Sequence, residues 1–248
     1  MIILKSSQEI ERMKVPCRIV SETLEYLKER IKPGITTLEL DQAAESYALK
    51  CKSVPAFKGY SGYPYSLCCS VNDQVVHGFP NRDELRVGDI LSIDFGVLYD
   101  GFYGDSAITV PIGAISEKAL KLIKVTEESL YKGIEKATKQ NKLSDISAAV
   151  QTYAERNGFS VVREFVGHGI GRSLHESPQV PNFGKPGRGV KLKPGMVLAV
   201  EPMINENGPQ VKILPDGWTA VTVDGGLSAH FEHTVAITAN GPEILTTI

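Results

Sequence analysis

The chain has 248 residues, 42% apolar and 23% charged, with 27 basic against 29 acidic side chains and a formal charge of −2. Such a length suits one large domain or two small ones and buries roughly 70–75% of the unfolded surface, while the near-neutral balance excludes a global basic field aimed at DNA or anionic lipid. No apolar run approaches the ~18 residues of a membrane span, and the opening "MIILKSSQEIERMK" lacks the apolar segment of a secretory signal. Cys17, Cys51, Cys68 and Cys69 form no CxxC pair, so reduced thiols and a cytoplasmic location are expected.

Ser6 and Glu9 form a capping box, after which Ile10, Met13, Cys17, Val20, Leu24, Leu27 and Ile31 recur at helical spacing. "KPG" at 32–34 breaks that helix. Thr36 and Glu39 open a second one, with Leu40, Ala43, Ala44, Tyr47 and Ala48 on one face. His77-Gly78 follows, then "LRVGDILSIDFGVLYDGFYGDSAITV" (85–110), two β-rich runs about the hairpin signal Asp100-Gly101. Ser116 begins a third helix to about Ala137. A fourth carries Ile146, Ala149, Val150, Tyr153 and Ala154, which match the second helix's face at a constant offset of 106. The stretch "VREFVGHGIGRSLHESP" (162–178) then gives a second His-Gly, His168-Gly169. "LKPGMVLAVE" (192–201) aligns with "LRVGDILSID" (85–94) at an offset of 107, so that Glu201 stands where Asp94 does. Finally "FEHTVAI" carries Glu232 as "GDSAITV" carries Asp105.

The chain therefore contains itself twice, each time as helix, helix, strands. Two similar units are too few for a solenoid. Helices followed by antiparallel strands predict an α+β fold, with pseudo-symmetric halves of about 1–111 and 112–248 around a central antiparallel sheet in one domain.

A two-residue turn at Asp100-Gly101 sets Tyr99 opposite Phe102 and Gly96 opposite Asp105. Asp94 shares the face of Gly96, which makes Asp94 and Asp105 diagonal neighbours with Cβ atoms ~7–8 Å apart or closer. Carboxylates this close repel unless a cation lies between them, and an acid interrupting a core strand, as Glu201 and Glu232 do, is costly unless paired or metal-bound. Asp94, Asp105, His168, Glu201 and Glu232 form an oxygen-rich set with one imidazole, suited to Mn, Fe, Co or catalytic Zn. Four carboxylates balance two divalent ions, an arrangement that activates a bridging water. Glycine in a strand marks a bend or a close approach; Gly167 and Gly169 are expected to clear space for metal and peptide backbone.

Those residues, with the stretches "SVNDQVVHGFP", "ILSIDFG", "GDSA", "GHGIGRSLHE", "LAVEPM" and "EHTVAIT", resemble the type I methionine aminopeptidases of the short bacterial kind, over nearly the whole chain. The resemblance implies the pita-bread fold and removal of the initiator methionine from nascent polypeptides when the next residue is small. It further implies that Asp94 chelates one metal, that Asp105 and Glu232 bridge both, and that His168 and Glu201 hold the other, Glu201 also shuttling a proton. His77 and His175 are implied to stand beside the substrate, His175 at the scissile carbonyl and His77 near the amino end. The family's apolar, sulfur-tolerant pocket falls on Tyr60, Tyr63, Cys68, Leu174 and Trp218, with Phe57 nearby. Leu174 departs from the larger aromatic common there, and Gly96 stands where relatives carry a hydroxyl. His230 is expected beside the ligands rather than among them, and His233 in a structural place.

A non-catalytic binding module of this fold is expected to lose metal ligands, and all five are present. Proline-directed peptidases of the fold are expected to carry an added N-terminal domain, and eukaryotic-type relatives an extension or a long insertion. The family expectation is a monomer with no membrane or DNA partner. Lys185, Arg188, Lys191 and Lys193 lie in a loop without acids, "GKPGRGVKLKPG", which is expected either to be merely solvated or to touch ribosomal RNA in a transient ribosome contact.

Overall fold

A computed structural model describes residues 1–247; Ile248 lies outside the described residues. Four helices form: α1 Ser7–Lys28, α2 Thr37–Lys50, α3 Glu117–Ile134 and α4 Leu143–Arg156. The first two begin at the capping boxes read from the sequence, with the Ser6 and Thr36 side chains accepting from the Glu9 and Glu39 backbone N–H groups. The Ser116 side chain accepts from Ala119 N–H at the start of α3, which ends at Ile134, somewhat before the predicted Ala137. Helices α2 and α4 have the same 14-residue length and keep the 106-residue offset at both ends. Their equivalent tyrosines behave alike: the Tyr47 hydroxyl donates to Glu22 of α1, and the Tyr153 hydroxyl to Glu128 of α3.

A nine-stranded antiparallel sheet runs through the molecule. Its main path is Val54–Pro55, Ile90–Tyr99, Phe102–Pro111, Glu232–Ile237, Val197–Val200, Gly167–Gly169 and Glu176–Val180. Cys68–Val71 and Pro242–Ile244 pair off this path. The hairpin has the predicted register, Tyr99 opposite Phe102 and Gly96 opposite Asp105. Asp100 and Gly101 both have positive φ, 48° and 77°, the backbone that a two-residue turn between right-twisted strands requires. Leu91, Ile93, Phe95 and Val97 pack with α1 and α2, whereas Leu198, Val200, Val235 and Ile237 pack with α3 and α4. Half-buried Ile108 touches both clusters and joins the two halves of the core. Because strand side chains alternate, the residues between these apolar ones project from the opposite face, away from the helices.

Two three-stranded sheets complete the fold. One joins Met203–Asn205 to Ser228–His230 and Ser160–Val161; the other joins Ala220–Thr222 to Val211–Ile213 and Gln74–Val76. The second carries His77 from the first half toward Trp218 of the second.

Helix α1 lies so close to the hairpin that a Cβ on Gly104 would sit 2.6 Å from Cys17 N and 2.8 Å from Pro16 C. Both are backbone atoms, so no side-chain rotation relieves the clash. Gly104→Ala is expected to lower the unfolding free energy by about 1–3 kcal/mol in urea titration. Unchanged stability would show that α1 can move away at no cost.

Candidate metal centre and substrate cavity

The face away from the helices lines a cavity of about 280 Å³ that contains all the predicted acids and His77, His168 and His175. Sheet register explains the acid positions. Asp94 pairs with Ala107, and Ala107 with Glu232, so two carboxylates flank one small side chain. Asp105 stands on the same face, opposite Gly96. His168 pairs with Ala199, two residues before Glu201. Between the Phe102–Pro111 and Glu232–Ile237 strands the ladder is short, and hydroxyls extend it. Ser106 Oγ donates to Glu232 O, Thr109 Oγ1 to His230 O and Thr234 Oγ1 to Asp105 O, at 2.6–2.8 Å. The positions of Asp105 and Glu232 are thereby fixed from both halves.

The acids crowd one another. Atoms of Asp105, His168 and Glu232 all lie within 4.8 Å, and so do atoms of Glu201, His230 and Glu232. Asp94 belongs to neither group and stands diagonal to Asp105 on the same face of the hairpin. Burial raises the pKa of Asp94 to about 7. Burial, then the charges of Asp94 and Glu201, holds Asp105 well above the carboxylate range. Glu201 is raised by burial and Asp94, and Glu232 by burial and then Asp105, Glu201 and Asp94.

The histidines differ in what holds them. His168 Nδ1 is 2.8 Å from Gly169 O; a carbonyl only accepts, so Nδ1 carries the proton and Nε2 presents its lone pair, 3.4 Å from Glu201 Oε1. Burial and the neighbouring His175 lower the His168 pKa to about 3. His175 stands at the mouth of the cavity, Nδ1 2.7 Å from the Tyr60 hydroxyl and its ring 4.3 Å from that of His168. Its pKa is lowered by burial. His77 has φ 59°, a conformation uncommon outside glycine, and stands edge-on to Phe165 at 5.3 Å. His230 is buried with Nε2 unpaired and 3.9 Å from Glu201 Oε2, so by position it is as close to the acids as the predicted ligands are. His233 faces the other way, bonded to Thr246 and Tyr131.

Phe57, Tyr60, Tyr63, Cys68, Leu174 and Trp218 line the same cavity. Tyr63 packs edge-on against Trp218 at 5.1 Å and Phe79 at 5.4 Å, and its hydroxyl donates to Leu67 O or Gly78 O. Val76, Glu164, Phe165, Val166 and Met203 are lining residues that the sequence reading missed. Phe165 lies only three residues before His168, which was the one available signal. Gly96 leaves room that a Cβ would take from Phe57 (3.0 Å) and Asp105 Oδ1 (3.1 Å).

Gly167 and Gly169 do not clear space for a ligand as expected. A Cβ on Gly167 would lie 2.4 Å from Ala199 O, and one on Gly169 2.4 Å from Ser177 O. What approaches them is the backbone of the neighbouring strands, which squeezes the short Gly167–Gly169 strand and holds His168 at the cavity.

Residues 11–239 match the model of metallopeptidase family M24. The chain is 61% identical to the methionine aminopeptidase of Clostridium perfringens and 55% identical to methionine aminopeptidase 1 of Bacillus subtilis, each over the whole of both chains. Its backbone is similar to the crystal structure of the methionine aminopeptidase from Thermotoga maritima, with a TM-score of 0.98, 46% identity and full coverage of both chains. The α+β architecture is thus the pita-bread fold.

The donor set fits divalent metal. Asp94 Oδ1, Asp105 Oδ1, Glu232 Oε1 and His230 Nε2 are buried without a hydrogen-bond partner, and no Lys or Arg lines the cavity. Orphaned acceptors of this kind are satisfied by a cation. This sets the pH dependence of the metal-stripped protein. A raised carboxylate pKa stabilises the fold at low pH, and that contribution is lost as pH rises through the folded-state value. The buried histidines, with lowered pKa values, act oppositely, but only below about pH 6.5, where unfolded histidine protonates. In the window from about pH 6.5 up through the Asp94 value of about 7 the carboxylates dominate, at about 1.4 kcal/mol per pH unit for each excess proton held by the folded state. Chelator-treated protein is expected to lose thermal stability across that window, and added Mn²⁺ to remove the slope. A stability that is flat or rises with pH in the stripped protein would contradict the charge assignment.

Proposed function

The chain belongs to metallopeptidase family M24, and from that premise we propose that it is a methionine aminopeptidase, a hydrolase that removes the N-terminal initiator methionine from nascent proteins and peptides when the second residue is small. Divalent metal dependence goes with the family. The reading extends it to two ions drawn from Mn, Fe, Co or Zn, held by Asp94, Asp105, His168, Glu201 and Glu232. The carrying observation is a single cavity whose one wall is four carboxylates and a lone-pair imidazole and whose other wall is aromatic, aliphatic and thiol.

Bound divalent metal would supply a water of lowered pKa and Lewis acidity toward the carbonyl. The chain's own residues account for the rest. Glu201, whose pKa is raised by burial and Asp94, is suited to take a proton from the attacking water and return it to the leaving amine. With the Tyr60 hydroxyl donating to His175 Nδ1, the Nε2–H of His175 is free to donate to the carbonyl oxygen as negative charge grows there. His77 stands beside Phe165 and Trp218, where it would meet the amino end of the peptide and help its proton leave or arrive. A methionine thioether against Tyr63 and Trp218 gains sulfur–aromatic contact of about 0.3–1.5 kcal/mol per pair, and Cys68 adds a small apolar contact. His230 supports Glu201 by proximity in this scheme.

The halves, about 1–111 and 112–248, act as one catalytic domain here, since each contributes acids to the same cavity. No helix among the described residues is long and apolar enough to cross a membrane; a cytoplasmic, monomeric enzyme meeting nascent chains is the proposed setting. Lys185, Arg188, Lys191 and Lys193 are all exposed, and a transient contact with ribosomal RNA through this loop would bring the cavity to its substrate.

Met-Ala-Ser is expected to be hydrolysed well, and Met-Leu-Ser and Leu-Ala-Ser poorly, when Mn, Fe, Co or Zn is returned separately to stripped protein. Equal rates on the three peptides would remove the specificity assignment, and undiminished rates without metal the mechanism. His175→Ala is expected to bind metal normally in calorimetry and to lower kcat by about 100-fold or more; loss of metal would mean that His175 is a ligand. Changing the four loop cations to Glu is expected to abolish salt-sensitive co-sedimentation with ribosomes, and unchanged co-sedimentation would remove that contact.

A further inference from the structure

We infer that the buried ion pair between Lys5 and Glu176 is a positioning device for His175, making the segment before α1 part of the catalytic architecture. This inference rests on the aminopeptidase reading. The Lys5 ammonium meets Glu176 Oε2 at 2.5 Å, with side chains only 3% and 6% exposed. Glu176 Oε1 accepts the backbone N–H groups of Arg172 at 2.8 Å and Ser173 at 3.2 Å. One carboxylate thus closes the turn 172–176 on itself and ties it to the N-terminal segment. That segment is anchored in turn, since Lys5 N–H donates to Gly195 O at 2.7 Å. Gly171 leaves room for the pair: a Cβ there would lie 2.3 Å from Lys5 Cε and 2.8 Å from Glu176 Oε1.

The turn carries Leu174 and His175 into the cavity. Its outer side is held less tightly, by Arg172, which pairs with Glu9 at 3.1 Å and stacks on Phe102 at 4.6 Å while remaining exposed. A buried ion pair is a weak source of stability, because desolvation offsets most of the attraction. Its geometric demand is strict, however. With Lys5 present, the carboxylate stays inside and aims its second oxygen at the turn. Without Lys5, an unpaired buried carboxylate turns toward water and releases the two N–H groups. His175, one residue away, then loses its place against the Tyr60 hydroxyl. Displacement by about 1 Å is enough to lower a rate by about two orders of magnitude, whereas the apolar contact of Leu174 tolerates it better. Lys5 is therefore a positioning residue, acting on kcat through His175.

The test compares wild type, Lys5→Met, Lys5→Arg, Glu176→Gln and the Lys5→Met/Glu176→Gln double variant. Lys5→Met is expected to lower kcat on Met-Ala-Ser at least about tenfold, with KM changed by less than about threefold and metal affinity unchanged in calorimetry. Lys5→Arg should recover most of the loss, and the double variant should be no slower than the worse single variant, since the two act as one unit. Crystal structures should show His175 displaced from the Tyr60 hydroxyl in Lys5→Met. Unchanged kcat, failure of arginine to rescue, additive losses or an unmoved His175 would each overturn the inference. If Lys5→Met does not fold, Glu176→Gln is read for the same kcat loss and His175 displacement. If wild type itself fails to cleave the peptide, the aminopeptidase reading falls, and the crystallographic placement of His175 alone decides this inference.

Discussion

Four carboxylates gather on one buried face where the chain supplies no cation of its own, and the rest of the structure is organised around keeping them there. Two ionised carboxylates about 4.8 Å apart repel by about 3–4 kcal/mol at an effective dielectric near 20, and Asp105 and Glu232 are that close. Flexible side chains on loops would separate. Here the acids start from adjacent strands, so relieving the repulsion means breaking backbone ladders or the Ser106, Thr109 and Thr234 bonds that extend them. The sheet therefore holds a site that is unfavourable in the protein alone and favourable once cations neutralise it.

The two halves match in their helices and in the placing of their acids, yet their histidines have diverged through local backbone. His168 sits in a strand squeezed on both sides, with its Nδ1–H spent on Gly169 O, so that its Nε2 faces the acids. His77 follows the end of a strand in a different, smaller sheet, at φ 59°, and is turned toward Phe165 and Trp218. One repeat position thus yields a lone pair aimed at carboxylates and an imidazole in an aromatic wall. A symmetric pair could not serve an asymmetric reaction, in which one side gains a nucleophile and the other releases an amine.

Much of this was legible in the sequence because it is local. Capping boxes at Ser6 and Thr36 state where helices start. Asp100-Gly101 states the turn, and the turn fixes the register that puts Asp105 beside Asp94. The acids declared themselves by interrupting apolar strands. What stayed hidden depends on distant partners. Gly167 and Gly169 announced a close approach, but not that strand backbone rather than ligand makes it. Phe165 and Met203 look like ordinary core residues until the fold turns them into the cavity. Lys5 and Glu176 are separated by most of the chain, and neither carries a local pattern that points to the other.

The positions of these groups also separate two kinds of work. The acids and His168 ride on the central sheet or directly beyond a strand end, where movement is resisted by the whole ladder. His77, Phe165, His175 and Trp218, which line the cavity away from the acids, lie on turns or at strand ends, each fixed by a few contacts such as the Tyr63–Trp218 packing and the Lys5–Glu176 pair. Substitutions in the second group change shape at one wall without relaxing the charge cluster at the other. Leu174 is the example in this chain: buried on the turn that Glu176 closes, it lines the cavity and belongs to the apolar cluster of Phe57, Tyr63 and Cys68. A fold built this way can alter the shape of the apolar wall while leaving the buried charge cluster intact.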